Sequence, residues 1–238
     1  MTKSLFGTPA AVVFDLDGTL ADTAPDIRKA LNRALGTREL TPLGLSSVRL
    51  MIGAGPRTLV ERALRVLDVA ANAQLVDYLT DEFERCYLEQ GNMLSKLFDG
   101  VKLCVFQLAA RQIPLGICSN KPHDLCLAGL ADLGILHCFG AVSGTSPGVP
   151  KKPDPTLLLR TLDRLGSLPE NALYVGDSET DVKTARDAGV PVALVSYGYA
   201  TTPADQLGAD LVVDTLSELQ HFFSRPPADR LLLQSAMS

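Results

Sequence analysis

Short apolar runs recur along the chain and alternate with segments whose apolar residues fall at helical spacing. Near-continuous apolar runs are typical of strands in a parallel sheet, because helices cover both faces of such a sheet. Helical segments between successive runs are typical of the crossovers that parallel strands require. The pattern therefore predicts a doubly wound α/β fold with a parallel sheet. The predicted strands are 10–14, 114–119, 140–144, 171–176, 191–196 and 209–213, and the predicted helices between or after them are 101–111, 123–133, 155–165, 181–188 and 216–223.

One segment departs from this alternation. Between residues 22 and 92 there is no convincing strand pattern, whereas apolar residues recur at helical spacing in three places. Pro25 and Pro56 stand where the first turns of two of these helices are expected, a position that tolerates proline. The sequence thus predicts a small helical cap domain over residues 22–92, inserted into a core domain made of residues 1–21 and 93–238. The tail 224–238 is expected to be peripheral, either a loose helix or disordered.

Composition narrows the class of protein. The 238 residues are 46% hydrophobic and 21% charged, with a formal net charge of −5. A negative net charge disfavours nucleic acid as a main partner, because phosphate backbones bind cationic surfaces. No apolar run approaches the roughly 18 residues that span a bilayer, and the first residues do not resemble a signal peptide. Five cysteines at irregular spacings are typical of reduced thiols. We therefore expect a cytoplasmic monomer or homodimer with no membrane or nucleic-acid partner.

The first predicted strand ends in paired carboxylates. The stretch VVFDLDGTLADT places Asp15 and Asp17 two residues apart, so their side chains point the same way in extended backbone. Ligands of open α/β sheets bind at the carboxyl ends of strands, and adjacent carboxylates repel each other unless a cation intervenes. Mg²⁺ fits, because it binds carboxylates together with waters and phosphate oxygens. Gly18 and Thr19 predict a tight turn whose N–H groups can meet an anion. The alternative is a strand end followed by solvated acids.

Three further segments at predicted strand ends carry polar residues. The stretch VGDSETD places Asp177 and Asp181 after the fourth predicted strand, either as helix caps or as further ligands for the same cation. The stretch CSNKP places Ser119 and Asn120 after the second strand, and VPKKPDP places Lys152 before a helix. A hydroxyl group and an ammonium group can both bind a phosphoryl oxygen. Each segment alone is equally typical of a turn or a solvated loop.

Taken together, the segments DLDGT, SN, KPDP and GDSETD resemble, in order, the four motifs of the haloacid dehalogenase superfamily of phosphotransferases. The resemblance covers nearly the whole chain and implies a Rossmann-like catalytic core with a helical cap. It also implies Mg²⁺ as the cofactor, a nucleophilic Asp15 that forms an aspartyl-phosphate, and Asp17 as the acid and base. The remaining implied roles are phosphoryl binding by Thr19, Ser119, Asn120 and the catalytic Lys152, and metal binding by Asp15, the Asp17 backbone carbonyl and Asp177, with Asp181 in support.

The cap is expected to select the substrate. The stretch VRLMIGAGPRTLVERAL is similar to the cap region of phosphoglycolate phosphatases, which makes hydrolysis of 2-phosphoglycolate the leading interpretation. Gly53 and Gly55 would let this loop approach the core closely. Arg49 or Arg57 would bind a substrate carboxylate, or else both are exposed on helix faces. The alternatives are a phosphatase for another sugar phosphate or for pyrophosphate, a β-phosphoglucomutase-like phosphotransferase, and a non-enzymatic phosphometabolite sensor. The sensor is disfavoured because every catalytic acid is present.

Overall fold

Residues 6–224 are described by the computed structural model and contain ten strands and eight α-helices. Residues 225–238, which make up nearly all of the tail predicted to be peripheral, lie outside the described residues. The strands are β1 (Phe6–Gly7), β2 (Ala11–Phe14), β3 (Ala21–Asp22), β4 (Lys96–Leu97), β5 (Leu115–Pro122), β6 (Ala141–Thr145), β7 (Ala172–Gly176), β8 (Val192–Val195), β9 (Leu211–Val213) and β10 (Phe223–Ser224). The helices are α1 (Ala24–Gly36), α2 (Leu45–Arg49), α3 (Pro56–Val66), α4 (Ala73–Gln90), α5 (Val101–Ala110), α6 (His123–Asp132), α7 (Thr156–Arg164) and α8 (Glu179–Ala188).

Six of the strands form one parallel sheet in the order β6-β5-β2-β7-β8-β9. Strand β2 is central, with β5 and β6 on one side and β7, β8 and β9 on the other. This arrangement confirms the predicted doubly wound α/β fold, and each predicted strand overlaps one strand of the sheet. The strand order reverses at β2, and ligands of such sheets bind at the carboxyl ends of the strands at that point.

Helices cover both faces of the sheet, because its strands are apolar on both faces. Along β2, Val12 and Phe14 pack in a buried cluster with residues of α5 and α6. Ala11 and Val13 point the other way and pack with residues of α7 and α8. This two-sided burial holds β2 in the interior and therefore determines where the acidic residues that follow it lie.

Helices α1 to α4 form a further layer with an apolar core of its own. Leu31 of α1, Leu64 of α3 and Leu79 of α4 are fully buried in this core. Leu125 of α6 packs against the same cluster, so the layer contacts the sheet domain there. The chain enters the layer through β3 and leaves it through β4, and these two short strands pair antiparallel. The entering and leaving segments thus lie side by side.

A few element bounds differ from the prediction. Helix α2 and the two-residue strands β3 and β4 are too short to show a periodic pattern. The segment predicted as the helix 216–223 is a 3₁₀ helix over Leu216–Phe222. Helix α8 begins two residues earlier than predicted, because Ser178 is its N-cap and forms a capping box with Asp181. Within residues 6–224, no helix is both long and apolar enough to cross a membrane.

Candidate functional site

The acidic residues singled out in the sequence meet at the carboxyl ends of neighbouring strands. Asp15 follows the central strand β2, and Asp177 follows its neighbour β7. Asp181 lies in the first turn of α8. Each of the three offers one carboxylate oxygen to a cluster whose oxygens all lie within 4.8 Å of one another. The sheet therefore brings together acids that lie far apart in the sequence.

Asp15 is buried and incompletely paired. Its Oδ1 lies 3.1 Å from Nζ of Lys152 but accepts no hydrogen bond from any described residue. Burial raises the pKa of Asp15 to about 6, and the charges of Asp181 and Asp17 act in the same direction, whereas Lys152 and a hydrogen bond from Ser119 oppose the rise. The ionised form of Asp15 is thus only partly stabilised by Lys152, and a second cation nearby would stabilise it further.

Asp177 is held by backbone and side-chain donors on both of its oxygens. The hydroxyl of Thr19 donates to Oδ1 at 3.2 Å, and the backbone N–H of Tyr199 donates to Oδ2 at 2.6 Å. Gly18 has a φ of +88°, and a Cβ at this position would lie 2.5 Å from Oδ2 of Asp177. A Cβ on Gly198 would lie 2.2 Å from Cβ of Asp177. Two glycines are therefore needed for the backbone to close around this carboxylate.

Lys152 is a buried cation anchored by Asp181. Its Nζ donates to Oδ1 of Asp181 at 2.7 Å and to the hydroxyl oxygen of Tyr174 at 2.9 Å. Burial lowers the pKa of Lys152, but the charges of Asp15 and Asp181 outweigh this effect and raise the pKa above its ordinary value. Lys152 therefore remains protonated beside Asp15. Sequence reasoning did not identify Tyr174, because its hydroxyl reaches the site from within a buried strand.

Both oxygens of Asp181 are occupied by protein donors. In addition to Lys152, the hydroxyl of Tyr174 lies 2.8 Å from Oδ1. Oδ2 accepts from the backbone N–H of Asp177 at 3.2 Å, from the N–H of Ser178 at 3.1 Å and from the Ser178 hydroxyl at 2.6 Å. This carboxylate therefore holds Lys152 and the loop after β7 in place.

Lys121 is a residue of the site that sequence reasoning missed. Its Nζ donates to Oδ1 of Asp17 at 3.1 Å and to the hydroxyl oxygen of Tyr87, in α4, at 2.9 Å. Asp17 Oδ1 also accepts from the Thr23 hydroxyl at 2.7 Å. The available signal was position, because Lys121 directly follows Asn120 in the strand-end stretch CSNKP.

The loop between α2 and α3 approaches the sheet closely. Nδ2 of Asn120 donates to the backbone oxygens of Gly53 and Lys152, both at 3.0 Å, and its Oδ1 accepts from the Lys152 N–H at 2.8 Å. Gly55 has a φ of +85°, and a Cβ there would lie 3.1 Å from the backbone oxygen of Asn120. The side chain of Asn120 thus joins the helical layer to Lys152, in the segment between β6 and α7.

A pocket lies between the helical layer and the sheet. The sheet side of the pocket is polar, whereas the side formed by the helical layer is almost entirely apolar. The sheet side consists of Asp15, Asp17, Ser119, Asn120, Lys121, Pro122 and Leu125, and the helical side of Ile27, Ile52, Gly53, Gly55, Pro56, Leu59, Phe83 and Tyr87.

Comparison with known proteins identifies the family. A family model described as "Haloacid dehalogenase-like hydrolase" matches residues 12–195. The chain belongs to this family. A phosphoglycolate phosphatase from Rhodospirillum rubrum is 39% identical over 241 residues, covering 97% of this chain and 98% of the relative. One from Caulobacter vibrioides is 37% identical over 210 residues, covering 88% and 89%. A solved structure named "predicted phosphoglycolate phosphatase", from Haemophilus somnus, matches with a TM-score of 0.83 and 29% identity, covering 93% of this chain and 98% of that one.

A divalent cation fits the acidic cluster of this haloacid dehalogenase-like hydrolase. Oδ1 of Asp15 is buried and accepts no hydrogen bond within the described residues, although Lys152 Nζ lies 3.1 Å from it. Burial, followed by the charges of Asp181 and Asp15, raises the pKa of Asp177 well above its ordinary value. Both observations indicate carboxylates whose negative charges are only partly compensated by Lys152, and a bound cation would compensate them further. The ligand atoms are all oxygens, as Mg²⁺ prefers.

The two arginines proposed to bind a substrate carboxylate do not line the pocket of this hydrolase. Arg49 forms an ion pair with Asp22, with 2.5 Å between Nη2 and Oδ2. Arg57 forms ion pairs with Asp77 and Glu61 and is half exposed. Among the described pocket residues, Gly53 and Gly55 are present and neither arginine is. The alternative of exposed helix faces describes both arginines as the structure places them, with 44% of the Arg49 side chain and 49% of the Arg57 side chain exposed.

Proposed function

We propose that this chain is a Mg²⁺-dependent phosphatase that hydrolyses 2-phosphoglycolate. The observation that carries the proposal is the buried, incompletely paired carboxylate of Asp15, which lies beside protonated Lys152 at the polar side of an otherwise apolar pocket. The substrate is supported by relatives named phosphoglycolate phosphatase that match nearly the full length of the chain.

In the proposed reaction, Asp15 is the nucleophile. A carboxylate oxygen of Asp15 forms a bond to phosphorus while the bond from phosphorus to the glycolate oxygen breaks. Asp17 donates a proton to the departing oxygen, so glycolate leaves and an aspartyl-phosphate remains. Asp17 then accepts a proton from water, whose oxygen attacks phosphorus, releases phosphate and restores Asp15. Asp15 and Asp17 both follow β2 and line the same pocket, so one can act as the nucleophile and the other as the acid and base.

The remaining residues of the site provide charge and position. Lys152 would stabilise the charge that develops on the phosphoryl oxygens, and Ser119 would donate a hydrogen bond to one of them. Mg²⁺, held by Asp15, Asp177 and the backbone carbonyl of Asp17, would add positive charge at the same oxygens. Thr19, Asn120 and Asp181 would act by holding Asp177 and Lys152 in place, since their side chains are bonded to these residues or to their backbone.

We further propose that residues 22–92 act as a cap over a catalytic core formed by residues 1–21 and 93–238. The paired strands β3 and β4 are suited to be the hinge, because they contain both connections. The contacts that close the cap on the core include one from Asn120 to Gly53 and one from Lys151 Nζ to the backbone oxygen of Ala54 at 2.8 Å. Substrate exchange would require these contacts to open.

The proposed function is tested by measuring phosphate release from 2-phosphoglycolate with Mg²⁺ and with a chelator. The wild type should turn over only with Mg²⁺, and acid quenching should trap phosphate on the protein. Asp15→Asn should abolish both signals, whereas Asp163→Asn, which changes an exposed acid in α7, should leave them unchanged. Turnover by Asp15→Asn at a rate close to that of the wild type would reject the assignment of the nucleophile. Faster hydrolysis of a sugar phosphate than of 2-phosphoglycolate would reject the substrate.

A further inference from the structure

Lys121 is a buried cation that the proposed reaction leaves without a role. Its side chain is 5% exposed, and its ammonium group carries three N–H donors. Two of these donors are taken by Asp17 and by the Tyr87 hydroxyl oxygen. No other acceptor within residues 6–224 is bonded to Nζ. One donor of this buried ammonium group therefore has no acceptor among the described residues, and Lys121 lines the pocket.

The helical wall of the pocket that Lys121 lines is almost entirely apolar. On the helical side, Ile52, Leu59 and Phe83 line the pocket, and Leu125 lines it from α6. In such surroundings water screens charges weakly, so an ammonium group attracts an anion more strongly than it would at an exposed surface. Lys121 is the only cationic side chain among the described residues that line the pocket.

Neutral polar ligands would find few partners in the same place. The Tyr87 hydroxyl donates to Oδ1 of Asn92 at 2.9 Å, and the Asn120 amide is bonded to Gly53 and Lys152. A sugar would bring several hydroxyl groups to an apolar wall and leave them without hydrogen bonds, which is costly. A short ligand with one anionic group suits the pocket better.

We propose that Lys121 binds the carboxylate of the substrate, at the end opposite the phosphoryl group. This inference rests on the function proposed above and extends it to a substrate class, namely short phosphorylated hydroxy acids. The hydroxyl oxygen of Tyr87 and the carboxylate of Asp17 orient the ammonium group, and the third N–H donates to the substrate carboxylate. Lys121 thus takes the place that the sequence suggested for Arg49 or Arg57.

The test compares 2-phosphoglycolate with its uncharged amide, 2-phosphoglycolamide, at saturating Mg²⁺. The wild type should have the higher kcat/KM for the acid. Lys121→Met, which keeps the length of the side chain and removes its charge, should lower kcat/KM for the acid about ten- to a hundredfold more than for the amide, the effect expected of one charged hydrogen bond. Lys183→Met, at an exposed position in α8, should change neither value.

Three outcomes separate the possible explanations. An equal loss for both substrates in Lys121→Met would overturn the inference. Equal kcat/KM values for acid and amide in the wild type would overturn it as well, while leaving the phosphatase activity in place. If the wild type hydrolyses none of 2-phosphoglycolate, its amide and p-nitrophenyl phosphate, that result would instead overturn the proposed function on which the inference depends.

A second measurement needs no variant and covers the case in which Lys121→Met fails to fold. Glycolate and glycolamide are tested as inhibitors of p-nitrophenyl phosphate hydrolysis by the wild type. Glycolate should inhibit at a concentration at least tenfold lower than glycolamide, because only glycolate carries the charge that Lys121 would bind. Equal inhibition by the two compounds would contradict the inference.

Discussion

Replacing Asp181 by asparagine should destabilise the fold strongly although the change is nearly isosteric. The carboxylate faces donors on both of its oxygens, with Lys152 and Tyr174 at Oδ1 and with Asp177 and Ser178 at Oδ2. An asparagine amide has one acceptor oxygen and one NH₂ donor. Whichever way the amide is turned, the NH₂ group therefore meets donors and hydrogen bonds are lost.

The magnitude follows from the buried ion pair. Asp181→Asn removes the charge that pairs with Lys152 at 2.7 Å, and buried Lys152 then keeps one charged partner among the described residues, Asp15 at 3.1 Å. Breaking a buried pair by removing one partner costs about 3–5 kcal/mol of the free energy of unfolding. The matched control is Asp187→Asn in the same helix, where an exposed acid is changed and the cost should stay within about 0.5 kcal/mol.

The assay is urea unfolding of the two variants and the wild type in the presence of a chelator. Burial by itself raises the pKa of Asp181, but Lys152 and the hydrogen bonds outweigh it, so the pKa lies below its ordinary value. A depressed pKa contributes stability that is present above the unfolded-state pKa and is lost as the pH falls through the folded-state pKa. The deficit of Asp181→Asn should therefore be full at pH 7 and shrink only in acid. A deficit below about 1 kcal/mol at pH 7 would refute the reasoning.

Three further predictions concern activity. Lys152→Ala should lower kcat about 10²- to 10³-fold, as expected for the loss of one group that stabilises developing charge, and a loss under twofold in steady-state kinetics would contradict its role. Gly18→Ala should raise the Mg²⁺ concentration for half-maximal activity, because the new Cβ displaces Asp177, and an unchanged Mg²⁺ titration would count against Asp177 as a ligand. Arg49→Ala should change kcat/KM for 2-phosphoglycolate and its amide by the same factor, because Arg49 pairs with Asp22 outside the pocket; a selective loss for the acid would restore Arg49 as the carboxylate-binding residue.

The sequence pattern was informative wherever structure depends on neighbours along the chain. All six sheet strands and most helices could be located, because near-continuous apolar runs and helical spacing are local consequences of burial. The positions of Asp15 and Asp177 at strand ends followed in the same way. Helix α8 shows the limit, since its start depends on the capping box between Ser178 and Asp181 and lies two residues before the predicted one.

The sequence alone therefore determined the fold class, the order of the four motifs and the acids that meet at the centre of the sheet. Only the tertiary structure decided which groups complete the pocket. Lys121 at the end of β5 reaches Tyr87 of α4, and Arg49 of α2 turns to Asp22 of β3, where the chain enters the helical layer. Such contacts join residues that are distant in sequence, and they depend on how helices pack against the sheet, which no local periodicity encodes.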